Sequence, residues 1–231
     1  MKRNVALPLL VGLLLNLASL PAHPQTPPSS SELRIYAGLH AAAAKGDTGE
    51  IERLAAAGEK IDVRDARSRT PLHVAVFGGH HDAARALLRL GADANALEAD
   101  RYDIITIAAV QNDIEMLKLA IAGGGNAGNI TSRYDGTALI AAAHLGHAEV
   151  VRILIAAKAP LNHVNNLGWT AEMESIVLGD GGKNHTDTLK ALVDAGADVN
   201  IPDRAGVTPL GHARSRGYKQ MIEILTGAGA R

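Results

Sequence analysis

The stretch TPLHVAVFGGHHDAARALLRLGADAN, Thr70 to Asn95, decides how the chain folds. Thr70 is an N-cap residue, and Pro71 after it lacks only an N–H that a first helical residue does not need. Leu72, Ala75 and Val76 then give a short helix an apolar face of mostly small side chains. Gly78 and Gly79 break that helix. A second helix is predicted from about His80-His81-Asp82, with the Asp82 carboxylate at its positive end. Ala84, Leu87 and Leu88 recur at helical spacing, and Gly91 stops this helix as a left-handed residue. Asp93 and Asn95 are turn formers. Two helices this short do not hold themselves together in water. The stretch therefore requires neighbours built the same way.

The chain supplies them. Residues in the place of Leu72 are Leu39, Ile105, Leu139, Glu172 and Leu210, at steps of 33, 33, 34, 33 and 38. Gly46, Asn112, Gly146, Gly179 and Gly217 match Gly79, while Gly58, Gly124, Lys158, Gly196 and Gly229 match Gly91. Three independent markers agree on six units. With 70–95, the runs GTALIAAAHLGHAEVVRILIAA (136–157) and GVTPLGHARSRGYKQMIEIL (206–225) resemble ankyrin repeats. NNLGWTAEMESIVLGDGG (165–182), followed by DAGADVNIPDRAGVTPLGHARSRGY (194–218), is further similar to a bacterial group of exported or cytoplasmic ankyrin proteins. The resemblance implies an all-α solenoid of about six helix–turn–helix units with outward β-hairpin fingers, its stability close to a sum of units and interfaces. The units run approximately 32–64, 65–97, 98–130, 131–164, 165–202 and 203–231.

Departures from the pattern set further expectations. Unit one lacks the Thr-Pro start and carries Ala41 to Ala44, as suits a terminal cap. Unit three has Asp103-Ile104 for Thr70-Pro71 and Asn112 for the helix-stopping Gly, so it should be the least regular and most easily opened. One extra residue falls in the finger before Leu139, and five fall between the helices of unit five. Arg214, Arg216 and Lys219 give unit six a polar outer surface. Glu172 stands at a core position, where a carboxylate is costly to bury. The expectation is that Met173 fills the core and Glu172 turns outward, the other arrangement being a Glu172 buried beside a cation.

Composition narrows the function. Aromatics are 3% of the 231 residues and the net charge is −1 with both signs mixed, so no basic field attracts nucleic acid. Met1-Lys2-Arg3-Asn4 followed by apolar Val5 to Leu20 reads as a secretory signal peptide, residues 1–22, cleaved near Ala22. The rival reading, an uncleaved anchor, meets a run that is short and interrupted by Pro8 and Gly12. Cleavage would leave 21 basic against 24 acidic residues, in a mature protein predicted to be monomeric and free of the membrane. Residues 23–31, HPQTPPSSS, read as a Pro/Ser-rich linker. The protein has no cysteine, so export to an oxidising compartment carries no redox consequence.

Chemistry finds little support. Ten histidines invite a metal, but no cysteine or HExxH helix completes a ligand set, and His40, His73, His80 and His147 fall where ankyrin units bridge neighbouring turns. The insertion around Asp180, Lys183 and His185 lacks both phosphate-loop glycine spacing and calcium-loop carboxylates. It reads as a flexible turn with Thr186 capping the next helix, or as a secondary contact for a partner opposite the fingers. No catalytic residue, cofactor site or metal site is predicted. Binding is better supported: the fingers carry Arg67 and Arg69, Arg101 and Tyr102, Arg133 and Tyr134, then Trp169. These residue types dominate interface energetics, and the ankyrin resemblance places binding on finger tips and the concave face. The aromatic residues can equally stiffen neighbouring fingers. The expected partner is another protein, met in a bacterial periplasm. The resemblance adds that some periplasmic ankyrin proteins assist antioxidant enzymes. Its alternative is a secreted inhibitor or effector acting outside the cell.

Overall fold

A computed structural model describes residues 25–231, and the predicted signal peptide lies outside the described residues. A short helix, α1 (Ser30–Ile35), begins inside the stretch read as a linker, where Ser29 and Glu32 form a reciprocal cap. Six helix pairs follow: α2 (Gly38–Lys45) with α3 (Thr48–Ala56), α4 (Pro71–Phe77) with α5 (His81–Arg89), and α6 (Ile104–Gln111) with α7 (Ile114–Ala122). Then come α8 (Ala138–His144) with α9 (Ala148–Ala156), α10 (Ala171–Val177) with α11 (Lys183–Asp194), and α12 (Pro209–Arg216) with α13 (Lys219–Gly227). First helices stack on first helices and second on second, forming two layers of one solenoid.

Local chemistry accounts for each pair. Thr70 caps α4 by accepting the His73 N–H, while His73 Nδ1 accepts the Thr70 N–H. Its other ring nitrogen donates to the Tyr102 carbonyl of the next unit. Burial, opposed in part by that carbonyl, pushes His73 down to about 4, so the ring is neutral and its two roles are fixed. The other bridging histidines behave alike: His40 donates to the Arg69 carbonyl, His80 to Ala44 and His147 to Ala109, each at 2.9–3.0 Å.

Unit three is more regular than its sequence suggests. Asp103 replaces Thr as the cap of α6, its Oδ1 accepting the Thr106 N–H and hydroxyl at 2.8 and 2.7 Å. Asn112 takes the left-handed turn at φ +55°. Lys158 does the same at φ +64°, where the other units have glycine at +85° to +94°. A side chain in this region is strained. Lys158→Gly is therefore expected to stabilise the fold by about 0.5–1 kcal/mol, measured by urea denaturation; a loss of stability would refute this reading of the turn.

Two expectations are corrected. The fingers are not β-hairpins: the described residues contain one isolated bridge, Thr131 with Gly136, and the remaining tips are hydrogen-bonded turns. Nor does Thr186 cap a helix. The five inserted residues lengthen the turn by two and α11 by three, so the helix starts at Lys183 behind Gly182, and Thr186 lies buried within it.

Leu39, Leu72, Ile105, Leu139 and Leu210 are buried in register, as is Glu172 at 1% exposure. Neither arrangement foreseen for Glu172 occurs. Met173 is buried too, yet Glu172 does not turn outward, and no cation among the described residues pairs with it. Thr170 caps α10 as Thr70, Thr137 and Thr208 cap α4, α8 and α12, which fixes where the next side chains point. The core is divided here: a large apolar cluster runs from Leu39 to Ala197, and a small one joins Ile176, Leu189, Val199, Leu210, Ala213, Met221 and Leu225.

Candidate protein-binding face

Four of the five fingers are short turns, each built on one polar side chain. Asp65 Oδ1 accepts the N–H groups of Arg67 and Arg69, and Glu98 Oε1 those of Asp100 and Tyr102. Asn165 holds Leu167 and Trp169, and Asp203 holds Ala205 and Val207, all at 2.9–3.0 Å. The fourth residue of each such turn adopts positive φ: Ser68, Arg101, Gly168 and Gly206. Unit four, with its extra residue, needs two such residues, Ser132 and Asp135. Neighbouring fingers are stitched by backbone bonds from Ala99 N to Arg67 O, Ser132 N to Arg101 O, and Asn166 N to Tyr134 O, at 2.9–3.0 Å.

The predicted arginines serve this lattice first. Arg67 and Arg133 both clamp Asp100, at 2.8 and 3.0 Å, and Arg101 reaches Asp135 at 3.0 Å. Each keeps part of its guanidinium in water, so all three remain on the accessible face. Arg69 does not. Its side chain is 0% exposed, held by Asp65 at 2.7 Å and by Glu32 of α1, and it donates to the Thr26 carbonyl at 3.4 Å. Burial opposes the charge of Arg69 and works to raise Asp65. Burial is the largest single influence on both, but the hydrogen bonds and charges around them together outweigh it: Arg69 is held above its ordinary range, and Asp65, which also accepts from Tyr36, below its own. Tyr102 is likewise corrected from surface to core, 9% exposed, with burial raising its phenol. Tyr134 and Trp169 are half-buried.

The inserted segment is ordered by its own contacts. His185 Nδ1 meets Asp180 at 2.9 Å and its Nε2 donates to the His144 carbonyl, while Lys183 pairs with Asp187. Asp180 and Lys183 are exposed and His185 is mostly covered.

The fingers carry one more surface feature, which no single residue announces. Leu97, Ile130, Val164 and Pro202 occupy the same finger position, one before the turn, and form an apolar row across four units. Ile130 and Val164 are 47% and 43% exposed. The row keeps the period of the helices and was legible by that signal alone.

A family profile described as ankyrin repeats (three copies) matches residues 24–102 and 105–203. The Escherichia coli (strain K12) protein YahD, described as an ankyrin repeat protein, is 30% identical over 82% of this chain and 94% of its own. An ankyrin repeat domain from Acinetobacter baumannii superposes with a TM-score of 0.80 at 42% identity, covering 84% of this chain and 98% of that one. The ankyrin repeat protein EF0377 gives 0.77 at 30% identity, covering 82% and 96%. The chain belongs to the ankyrin-repeat family, whose fold is a scaffold for protein–protein contacts.

Proposed function

We propose that the protein is a non-enzymatic scaffold that binds another protein along its fingers, acting in a bacterial periplasm and regulating or supporting a partner enzyme there. The observation that carries the binding reading is the apolar row Leu97, Ile130, Val164 and Pro202, on a run of fingers that also presents Tyr134 and Trp169 and is braced at its first three members by Arg67, Arg101 and Arg133. A surface of exposed apolar side chains with a polar, arginine-bearing margin has the anatomy of an interface. The location rests on the basic and apolar N-terminal run alone.

The test is capture of a partner from periplasmic extract by the full chain and by the double variant Ile130→Asp/Val164→Asp. Because both positions are exposed, circular dichroism should be unchanged while capture falls roughly tenfold or more. Undiminished capture would refute the finger-face assignment. Cell fractionation checks the location separately: recovery from the culture medium would favour a secreted effector and leave the binding face standing.

A further inference from the structure

Helix α10 buries six consecutive residues, Ala171 to Ile176, and two of them are glutamates. Glu174 is satisfied, its Oε1 accepting from Asn165 Nδ2 at 2.9 Å and its Oε2 lying 3.1 Å from His144 Nδ1. Glu172 is not: Oε1 is enclosed without a hydrogen-bond partner. Such a group is normally satisfied or absent from a core. It also sits where the core divides. Ala171 belongs to the large apolar cluster and Ile176 to the small one, so the two ends of one short helix join different cores.

We propose that the α10 layer is a proton-controlled seam, in which protonated Glu172 lets the last two units dock and ionised Glu172 loosens α10 to α13 while the earlier units stay closed.

The surroundings offer the ionised form no relief. Helices α8, α11 and α12 pack on α10. On α8, His144 is engaged with Glu174. On α11, Lys183 pairs with Asp187, Lys190 with Asp194, and His185 with Asp180 in the turn before it. On α12, His212 is held by Asp203, and Arg214 and Arg216 are exposed. Asp198, in the turn after α11, repels a second negative charge. Burial, and then Asp198, push the Glu172 carboxyl up to about 7. A carboxyl raised in the folded state binds its proton more tightly there than when unfolded. Its contribution to docking is therefore complete below the unfolded value and is lost as pH rises through about 7.

The experiment is amide hydrogen exchange on the full chain between pH 5 and 8, corrected for the intrinsic pH dependence of exchange. Fluorescence of Trp169, the one tryptophan of the chain and the neighbour of the α10 cap, is read in parallel. In the wild type, exchange in α10 to α13 should accelerate by up to about tenfold per pH unit as pH rises toward 7 and level off above it, with α2 to α7 unmoved. Glu172→Gln, or Glu172→Leu if the amide fails to fold, should abolish the step. His144→Gln should retain it. A wild type without the step, a step that survives removal of the Glu172 carboxylate, or a step abolished by His144→Gln would each overturn the proposal.

Discussion

Arg69→Ala should destabilise the protein by about 3–5 kcal/mol and release the N-terminal helix, the cost of removing one partner from a buried ion pair. Helix α1 buries no side chain, and its Leu33 and Ile35 face water. What ties it down is polar: Glu32 to the Arg69 guanidinium, and the Thr26 carbonyl accepting from the same group. Arg69 also neutralises Asp65, whose carboxylate is 8% exposed and organises the whole finger through the Arg67 and Arg69 N–H groups. With arginine gone, Asp65 keeps only the Tyr36 hydroxyl at 2.6 Å as a side-chain donor. The deficit should shrink as pH falls, because protonation discharges Asp65 and Glu32. Urea denaturation with the Arg69→Ala/Asp65→Ala double-mutant cycle measures the coupling, and a total loss below about 1 kcal/mol would reduce this cluster to a surface ion pair.

The second large effect has the opposite sign. Glu172→Leu restores the residue type that stands at this position in units one, two, four and six, and it removes a carboxylate that burial holds at about 7. Against an unfolded value near the ordinary glutamate range, the ionised group costs about 3 kcal/mol at pH 8 and much less at pH 5. The variant should therefore melt roughly 6–12 °C higher at pH 8. The gain should narrow progressively as pH falls toward 5, which separates relief of a buried charge from the pH-independent benefit of added apolar volume. A lower melting temperature at pH 8 would mean that Glu172 is satisfied in a way its surroundings do not display.

The fold was legible because its rules are local. A Thr cap, a left-handed residue between two helices and another after them need only neighbours in sequence, and even the substitutes Asp103, Asn112 and Lys158 could be found by their place in the period. The bridging histidines were legible for the same reason. The site was harder. Arg69 and Tyr102 look like surface anchors until the elements beside them are known, and α1 starts 39 residues before Arg69. The arginines at the tips could not be assigned partners because Arg67 and Arg133 meet at an aspartate 33 residues from each. Glu172 set register against energetics. Register prevailed, since the capped helix fixes where its side chains point and the cost falls on protonation instead of on geometry.

The shared Asp100 carboxylate has a consequence for affinity. By holding one finger to each side of its own, it removes tip motion before any partner arrives. Association then loses less conformational freedom, and more of the contact energy survives as binding free energy. The comb is preorganised. Specificity can consequently be rewritten at exposed finger positions such as Ile130 and Val164, one finger at a time, without renegotiating the backbone beside them.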